Sequence, residues 1–489
     1  MKFHLNRIKH VAHAAPFLLL SACAVGPDYV KPKVETPAAF KEQVGWKIAQ
    51  PADLEVPVKW WELYHDPLLN SLEEQVNISN QSLIQAEAQY REARALVQSA
   101  RAAYFPTVSA NVSHSRAVSP VGAAVAAAPG GGIAAPVNSN LLTVDASWEP
   151  DIWGRVRRTV EVNSTSAQAS AAELQAIRLS TQAQLAQDYF QLRDQDADRQ
   201  LFDKTVADYK RSLQLTENQY ASGIVPKETV VLAQTQLKTT QAQAIDFDVA
   251  RAQMEHAIAL LVGKPASTFS IAPVDKFDTP VPVLPLGLPS ALLERRPDIA
   301  NAERLVASAN AGIGVAKAAY FPNLTLSASG GYESNSLANW ISVPNRLWSV
   351  GPALAETLFD GGLRRAQTDQ AIAAYDANVA SYRQTVLTGF QEVEDYIAAL
   401  RILEQESQEQ EEAVKLSNRS VELTINQYKA GIVTYLDVIT VEATALNNQH
   451  TLVDLLNRRL SANVLLIKAL GGGWNATQLP GADALSKAN

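Results

Sequence analysis

The sequence predicts a mainly α-helical chain, written twice, that contributes strands to a membrane β-barrel. Three observations carry this reading. Ala102-Ala103-Tyr104-Phe105-Pro106 recurs as Ala318-Ala319-Tyr320-Phe321-Pro322, an offset of 216. Leu215–Val225 recurs as Leu423–Val433 at an offset of 208, with eight of eleven residues identical. Between these markers each half carries two stretches of polar/apolar alternation at period two, the signature of strands with one buried and one polar face.

The elements follow the same order in both halves. A helical run comes first, over 68–103 and again over 298–319. A long hairpin is expected over 105–149, where Val108, Ala110 and Val112 alternate with Ser109, Asn111 and Ser113, and Leu142, Val144, Ala146 and Trp148 alternate with Thr143, Asp145 and Ser147. Its counterpart over 321–357 sets Leu324, Leu326 and Ala328 against Thr325, Ser327 and Ser329, and Trp348, Val350 and Leu354 against Ser349, Gly351 and Ala353. Residues 119–137, of which fourteen of nineteen are Ala, Gly or Pro, have no packing face and account for the eight-residue difference in offset. After each hairpin a glycine turn opens a proline-free stretch, 155–218 and 363–427, rich in Ala and Gln. At 1.5 Å per residue, about 60 helical residues reach roughly 90 Å. Small side chains in such helices suit close side-by-side packing. Gly223 and Gly431 mark the turns that reverse the chain into return helices 228–262 and 434–469, because glycine adopts the left-handed conformation that ends a helix. The two repeats thus cover 68–264 and 298–472, joined by a connector over 265–297 with seven prolines and followed by a short polar tail, 473–489.

Composition narrows the function. There are 42 Lys+Arg against 50 Asp+Glu in 489 residues, a formal charge of −8, which argues against a nucleic-acid binder. No stretch reaches the ~18 apolar residues of a spanning helix, so any membrane crossing must use strands. Four strands cannot close a barrel, and an open edge in lipid leaves unpaired backbone groups, so several copies must share one. Two copies give eight strands and a filled interior; three give twelve and a lumen, which the small Thr, Ser, Asn and Gly face favours.

Residues 1–22 read as an export signal: Lys2, Arg7 and Lys9, an apolar run from Val11 to Leu20, then Leu20-Ser21-Ala22 before Cys23, the only cysteine. This resembles a bacterial lipobox, which implies an acyl-modified Cys23 and, with Ala24 rather than aspartate next, the outer membrane. Removing 1–22, with three basic and no acidic residues, takes the charge from −8 to −11. Residues 23–67 are proline-marked and expected to run extended.

Taken in order, Cys23 with Gly26-Pro27-Asp28-Tyr29, Trp60-Trp61 with Asp66-Pro67, Trp148-Glu149 with Asp151-Ile152-Trp153-Gly154-Arg155, Arg295-Arg296-Pro297-Asp298-Ile299, Leu358-Phe359-Asp360-Gly361-Gly362 and Tyr428 to Asp437 resemble the outer-membrane efflux lipoproteins, the TolC-like channels of tripartite pumps. The resemblance covers nearly the whole mature chain. It implies a homotrimer with a 12-stranded shared barrel and a long α-helical tunnel in the periplasm. It also implies a periplasmic adaptor, an inner-membrane transporter of the RND type, and no cofactor beyond the lipid on Cys23. The tunnel would close at its helix turns, and Asp437 matches the constriction aspartate, with Tyr428 and Tyr220 beside the turns. Thr440 and Val433 depart from a second aspartate and an arginine found in some members, and Thr229 next to Glu228 stands at the position equivalent to Asp437. Asp437 also suits a helix start, where a carboxylate is favoured by the dipole.

Other signals have plainer readings. Gly312-Ile313-Gly314 lacks the third glycine of a dinucleotide loop and reads as close packing. Glu404, Glu406, Glu409, Glu411 and Glu412 read as a solvated face. His65, His114, His256 and His450 show neither metal nor triad spacing, so no catalytic or metal site is expected. The main expectation is a passive duct for small molecules. Alternatives are an exit duct for type I protein secretion and a lipid-anchored structural coiled coil without a closed barrel.

Overall fold

The computed structural model describes residues 25–42, 57–118, 136–274, 276–284 and 289–486. Cys23 and the signal segment lie outside the described residues, as does most of the Ala/Gly/Pro stretch 119–137. The elements, in order, are α1 Pro67–Ser79, α2 Gln81–Ala102, β1 Thr107–Ala117, β2 Val137–Trp148, α3 Arg155–Ala221, α4 Lys227–Leu261, α5 Pro297–Ala318, β3 Asn323–Ser334, β4 Arg346–Ala355, α6 Leu363–Lys429 and α7 Tyr435–Ala469. The long helices α3 and α6 are both 67 residues, about 100 Å, and the return helices α4 and α7 are both 35.

One expected helix is broken. The run over 68–103 is two helices divided at Asn80, whose backbone is extended (φ −66°, ψ 123°). Its side-chain oxygen accepts from the Leu83 N–H at 3.1 Å, and its amide donates to the Leu261 carbonyl at 2.8 Å. The side chain thereby caps α2 and ties it to the end of α4, a local bond that outcompetes helix continuation. Asp151 starts α3 in the same way, accepting from Val156 and Arg157 N–H at 2.8 Å each, and Asp360 accepts from the N–H groups of Gly362 and Arg364 ahead of and within α6.

The core is a belt at mid-height. Trp60, Tyr64 and Leu69 meet Leu185, Tyr189 and Phe190 of α3, Ile299 of α5, Val393 and Ile397 of α6 and Leu466 of α7. The Tyr64 and Phe190 rings stand 4.9 Å apart edge to face, and the buried Tyr64 hydroxyl donates to Asn463 at 2.7 Å. Arg296 clamps three elements here. It bonds Asp298 through two nitrogens, Glu392 of α6 at 2.6 Å, and the last carbonyl of α7, Ala469, at 3.1 Å. Ala307, Ala311 and Gly314 on α5 are small where neighbours come close. A Cβ on Gly26 would meet Gly314 Cα at 2.5 Å, so Gly314 serves packing against the N-terminal segment, whereas a Cβ on Gly312 would meet nothing within 4 Å and the close-packing expectation fails there. The tail also docks, with Trp474 packing on Ala172 and Ala300.

The four strands form one antiparallel sheet in the order β1-β2-β3-β4, and among the described residues β1 and β4 are unpaired on their outer edges. Its register puts Val108, Val112, Val144, Trp148, Leu326, Trp348, Val350 and Leu354 on one face, all exposed, and Ser109, Asn111, Thr143, Asp145, Ser327, Ser329 and Ser349 on the other. On the polar face Asp145 accepts from Asn111 at 2.8 Å, Thr143 at 2.9 Å and Ser329 at 2.6 Å, knitting three strands. No helix among the described residues is long and apolar enough to cross a membrane.

Candidate functional site at the helical tips

Each long helix ends in the same turn. Ile224 N–H reaches back to Gln219 O at 2.9 Å and Gly223 N–H to Tyr220 O at 2.9 Å; Ile432 to Gln427 (3.0 Å) and Gly431 to Tyr428 (2.9 Å) repeat it. This nested pair requires a left-handed residue, and Gly223 (φ 74°) and Gly431 (φ 75°) supply it. The two repeats differ after the turn. Helix α4 starts behind Pro226 with no side-chain cap, whereas α7 starts with a capping box. Asp437 Oδ2 accepts from the Thr434 N–H at 2.8 Å and from the Thr434 hydroxyl at 2.6 Å. These bonds, foremost the hydroxyl, hold the exposed Asp437 carboxyl below its ordinary range. A fixed anion therefore sits at the second tip, and no equivalent one at the first.

Tyr428 joins the repeats. Its hydroxyl donates to Gln219 Oε1 at 2.6 Å, and its ring lies 5.5 Å from that of Tyr435. The buried Tyr435 in turn shares a 3.1 Å hydrogen bond with Ser212 of α3. Tyr220, the counterpart of Tyr428, is exposed, and its side chain has no hydrogen-bond partner among the described residues. A cavity of about 610 Å³ opens between α3, α6 and α7 beside this contact, lined by Tyr209, Tyr428 and Glu442. Burial, together with the charge of Asp208, pushes Glu442 up to about 7, and one of its oxygens is buried without a partner among the described residues.

Further from the tip lies a cluster that sequence reasoning missed. Asp194 and Asp198, one turn apart on α3, face His450 and Asp454, one turn apart on α7. His450 Nδ1 and Asp198 Oδ1 are 2.8 Å apart. Asp194 accepts from Gln191 and Gln195 with one oxygen, while the other is buried without a partner among the described residues. Burial, reinforced by the charges of Asp198 and Asp454, raises the Asp194 carboxyl to about 7. Burial raises Asp198 too, while the bond to Asp198 raises His450. The available signal was the run Asp194, Asp196 and Asp198 on α3. Glu404, Glu406, Glu409, Glu411 and Glu412 are all exposed, and Arg458 and Arg459 of α7 pair with two of them. Among the described residues no group of His, Cys, Asp and Glu is arranged to hold a metal ion.

The comparisons with known proteins give the same architecture. The family model described as outer membrane efflux protein matches 72–264 and 288–472, one stretch in each repeat. The chain belongs to the outer membrane efflux protein family. It is an efflux channel component of the outer membrane and not an enzyme, and the family uses no cofactor. It is 29% identical over 462 residues to the probable efflux pump outer membrane protein TtgC of Pseudomonas putida, covering 94% of this chain and 95% of that one. It is 28% identical over 474 residues to the pyoverdine export outer membrane protein OpmQ of Pseudomonas aeruginosa, covering 96% and 98%. The outer-membrane channel OprN superposes with a TM-score of 0.85 at 29% identity, over 92% of this chain and all of that one. The fold is therefore that of TolC-like channels, a long helical part surmounted by strands.

Proposed function

We propose that three copies of this chain, each anchored by acyl chains on Cys23, share one twelve-stranded barrel in the outer membrane and one helical tunnel in the periplasm. The tunnel acts as a passive duct for small molecules, delivered by an inner-membrane transporter of the RND type through a periplasmic adaptor that meets the helical tips. The observation that carries this reading is the open sheet: apolar on one face, polar on the other, with unpaired edges at β1 and β4. Lipid does not tolerate such edges, and pairing β4 with β1 of the next copy removes both. Relatives named for toluene and pyoverdine export favour small molecules over secreted proteins as cargo.

The gate lies at the tips. Tyr428 bonded to Gln219 holds the two repeats of one chain together. The duplication then pairs Tyr220 of one copy with Gln427 of its neighbour, completing a sixfold set of latches. Three Asp437 carboxylates ring the axis and favour cations. Two measurements test the proposal. Light scattering of the detergent-solubilised protein gives a trimer mass, and planar bilayers show a small, cation-preferring conductance. Asp437→Ala lowers the cation preference, and the double change Tyr220→Phe with Tyr428→Phe raises the resting conductance. A monomeric mass or absent conductance overturns the duct; unchanged selectivity and conductance in these variants remove the residues from the gate.

A further inference from the structure

The apolar face of the sheet is not smooth. Two successive cross-strand rows, Leu142–Tyr332–Arg346 and Val144–Gly330–Trp348, enclose a groove of about 510 Å³. Gly330 forms its floor between Val144 and the 72%-exposed Trp348, and a Cβ built there would meet nothing within 4 Å. The next residue on the same face of β3 is Ala328, a small side chain paired with Val350, which leaves the strand low beyond the groove. At the hairpin-tip end stand the Tyr332 side chain and the exposed Arg346, whose guanidinium has no hydrogen bond or ion pair among the described residues. Among the described strand residues of this face the only full charges are Arg346 and Arg116, both near the hairpin tips, and there is no carboxylate.

We infer that this groove is a binding site for one anionic membrane lipid, with an acyl chain in the Gly330–Ala328 trough and its phosphate on Arg346. The inference rests on the barrel reading, which turns this face toward lipid. The trough is apolar and open along the strand, so it suits a hydrocarbon chain. A planar guanidinium left unpaired at its end selects a phosphate-bearing head over a neutral one. Tyr332 stands at the same height, where an aromatic ring with a polar tip marks the boundary between hydrocarbon and headgroups.

Trp348 in the groove wall provides the readout. The trimer is reconstituted in phosphatidylcholine vesicles containing a minor fraction of brominated phosphatidylglycerol or, in parallel, of brominated phosphatidylcholine. The Trp348 signal is the difference between the chain and its Trp348→Phe variant. A single arginine at the membrane surface gives an expected preference of about fivefold for quenching by the anionic lipid at equal mole fraction. Arg346→Gln abolishes that preference, and Gly330→Leu, which fills the trough, reduces it while the trimer mass stays unchanged. Equal quenching by the two lipids, or a preference that survives Arg346→Gln, overturns the site while leaving the barrel intact. Absence of Trp348 quenching by either lipid overturns the barrel reading with it.

Discussion

Helices α3 and α6 occupy the same place in their repeats and have the same length, yet they live in different surroundings. Twenty-four residues of α3 are buried against nine of α6. α3 packs against α1, α2, α4, α5 and α7, whereas α6 packs chiefly against α5 and α7. Near the strands the contrast is sharpest: Ala167, Ala169, Ala171 and Ala172 of α3 are buried, while Leu363 and Ile372 of α6 are exposed. Equal sequence position with unequal burial means that one flank of the chain is complete and the other is waiting. α2, which has three buried residues in twenty-two, is the helix that a neighbouring copy would lay along α6, as α5 lies along α3 within the chain.

Four experiments press on this contrast, from the largest effect to the smallest. Phe190→Ala empties a fully buried site on α3 and lowers unfolding free energy by about 3–5 kcal/mol, read from denaturant midpoints by circular dichroism. A loss under ~1 kcal/mol would mean that α3 is not the better-packed helix. The α3–α7 seam makes stability pH-dependent. Asp194 titrates at about 7 in the fold against about 3.9 unfolded, so the folded chain holds an extra proton in between, and stability falls as pH rises from about 4 to about 7. His450, raised by Asp198, works in the same direction: its contribution is present below about 6.5 and is lost as pH climbs through its raised folded value. The Asp194 share of the swing is on the order of 4 kcal/mol, and Asp194→Asn removes that share; a stability that rises over this window contradicts the buried, protonated Asp194. Leu387→Arg, on the exposed side of α6, leaves helical content unchanged but shifts the light-scattering mass toward monomer. A mass that stays trimeric would place the α6 flank outside the subunit contact. Glu409→Ala, on the solvated face of the same helix, changes stability by less than ~0.5 kcal/mol.

Much of this was legible in the chain itself. Period-two alternation located both hairpins because one face carries apolar side chains and the other polar ones, and the offsets of 216 and 208 exposed the duplication. The glycine turns at 223 and 431 were legible because only a few residue types tolerate that backbone. Three things were not. The break at Asn80 depends on a bond to Leu261, 181 residues away. The Asp194–His450 cluster joins residues on helices of different repeats, and the run Asp194, Asp196, Asp198 does not by itself point to a partner on α7. The groove over Gly330 exists because β2 and β4 bring Val144 and Trp348 to either side of it, a register that no single strand encodes.

The two bare edges of the sheet also dictate a sequence of events. A solitary subunit delivered to the membrane cannot enter it, since burying β1 and β4 unpaired is unfavourable, so encounter must precede insertion. Entry then depends steeply on how many subunits gather in one place. In the reading proposed above, acyl chains on Cys23 would confine the subunits to a surface and replace a search through volume with a search over area, which is the step such a tether accelerates.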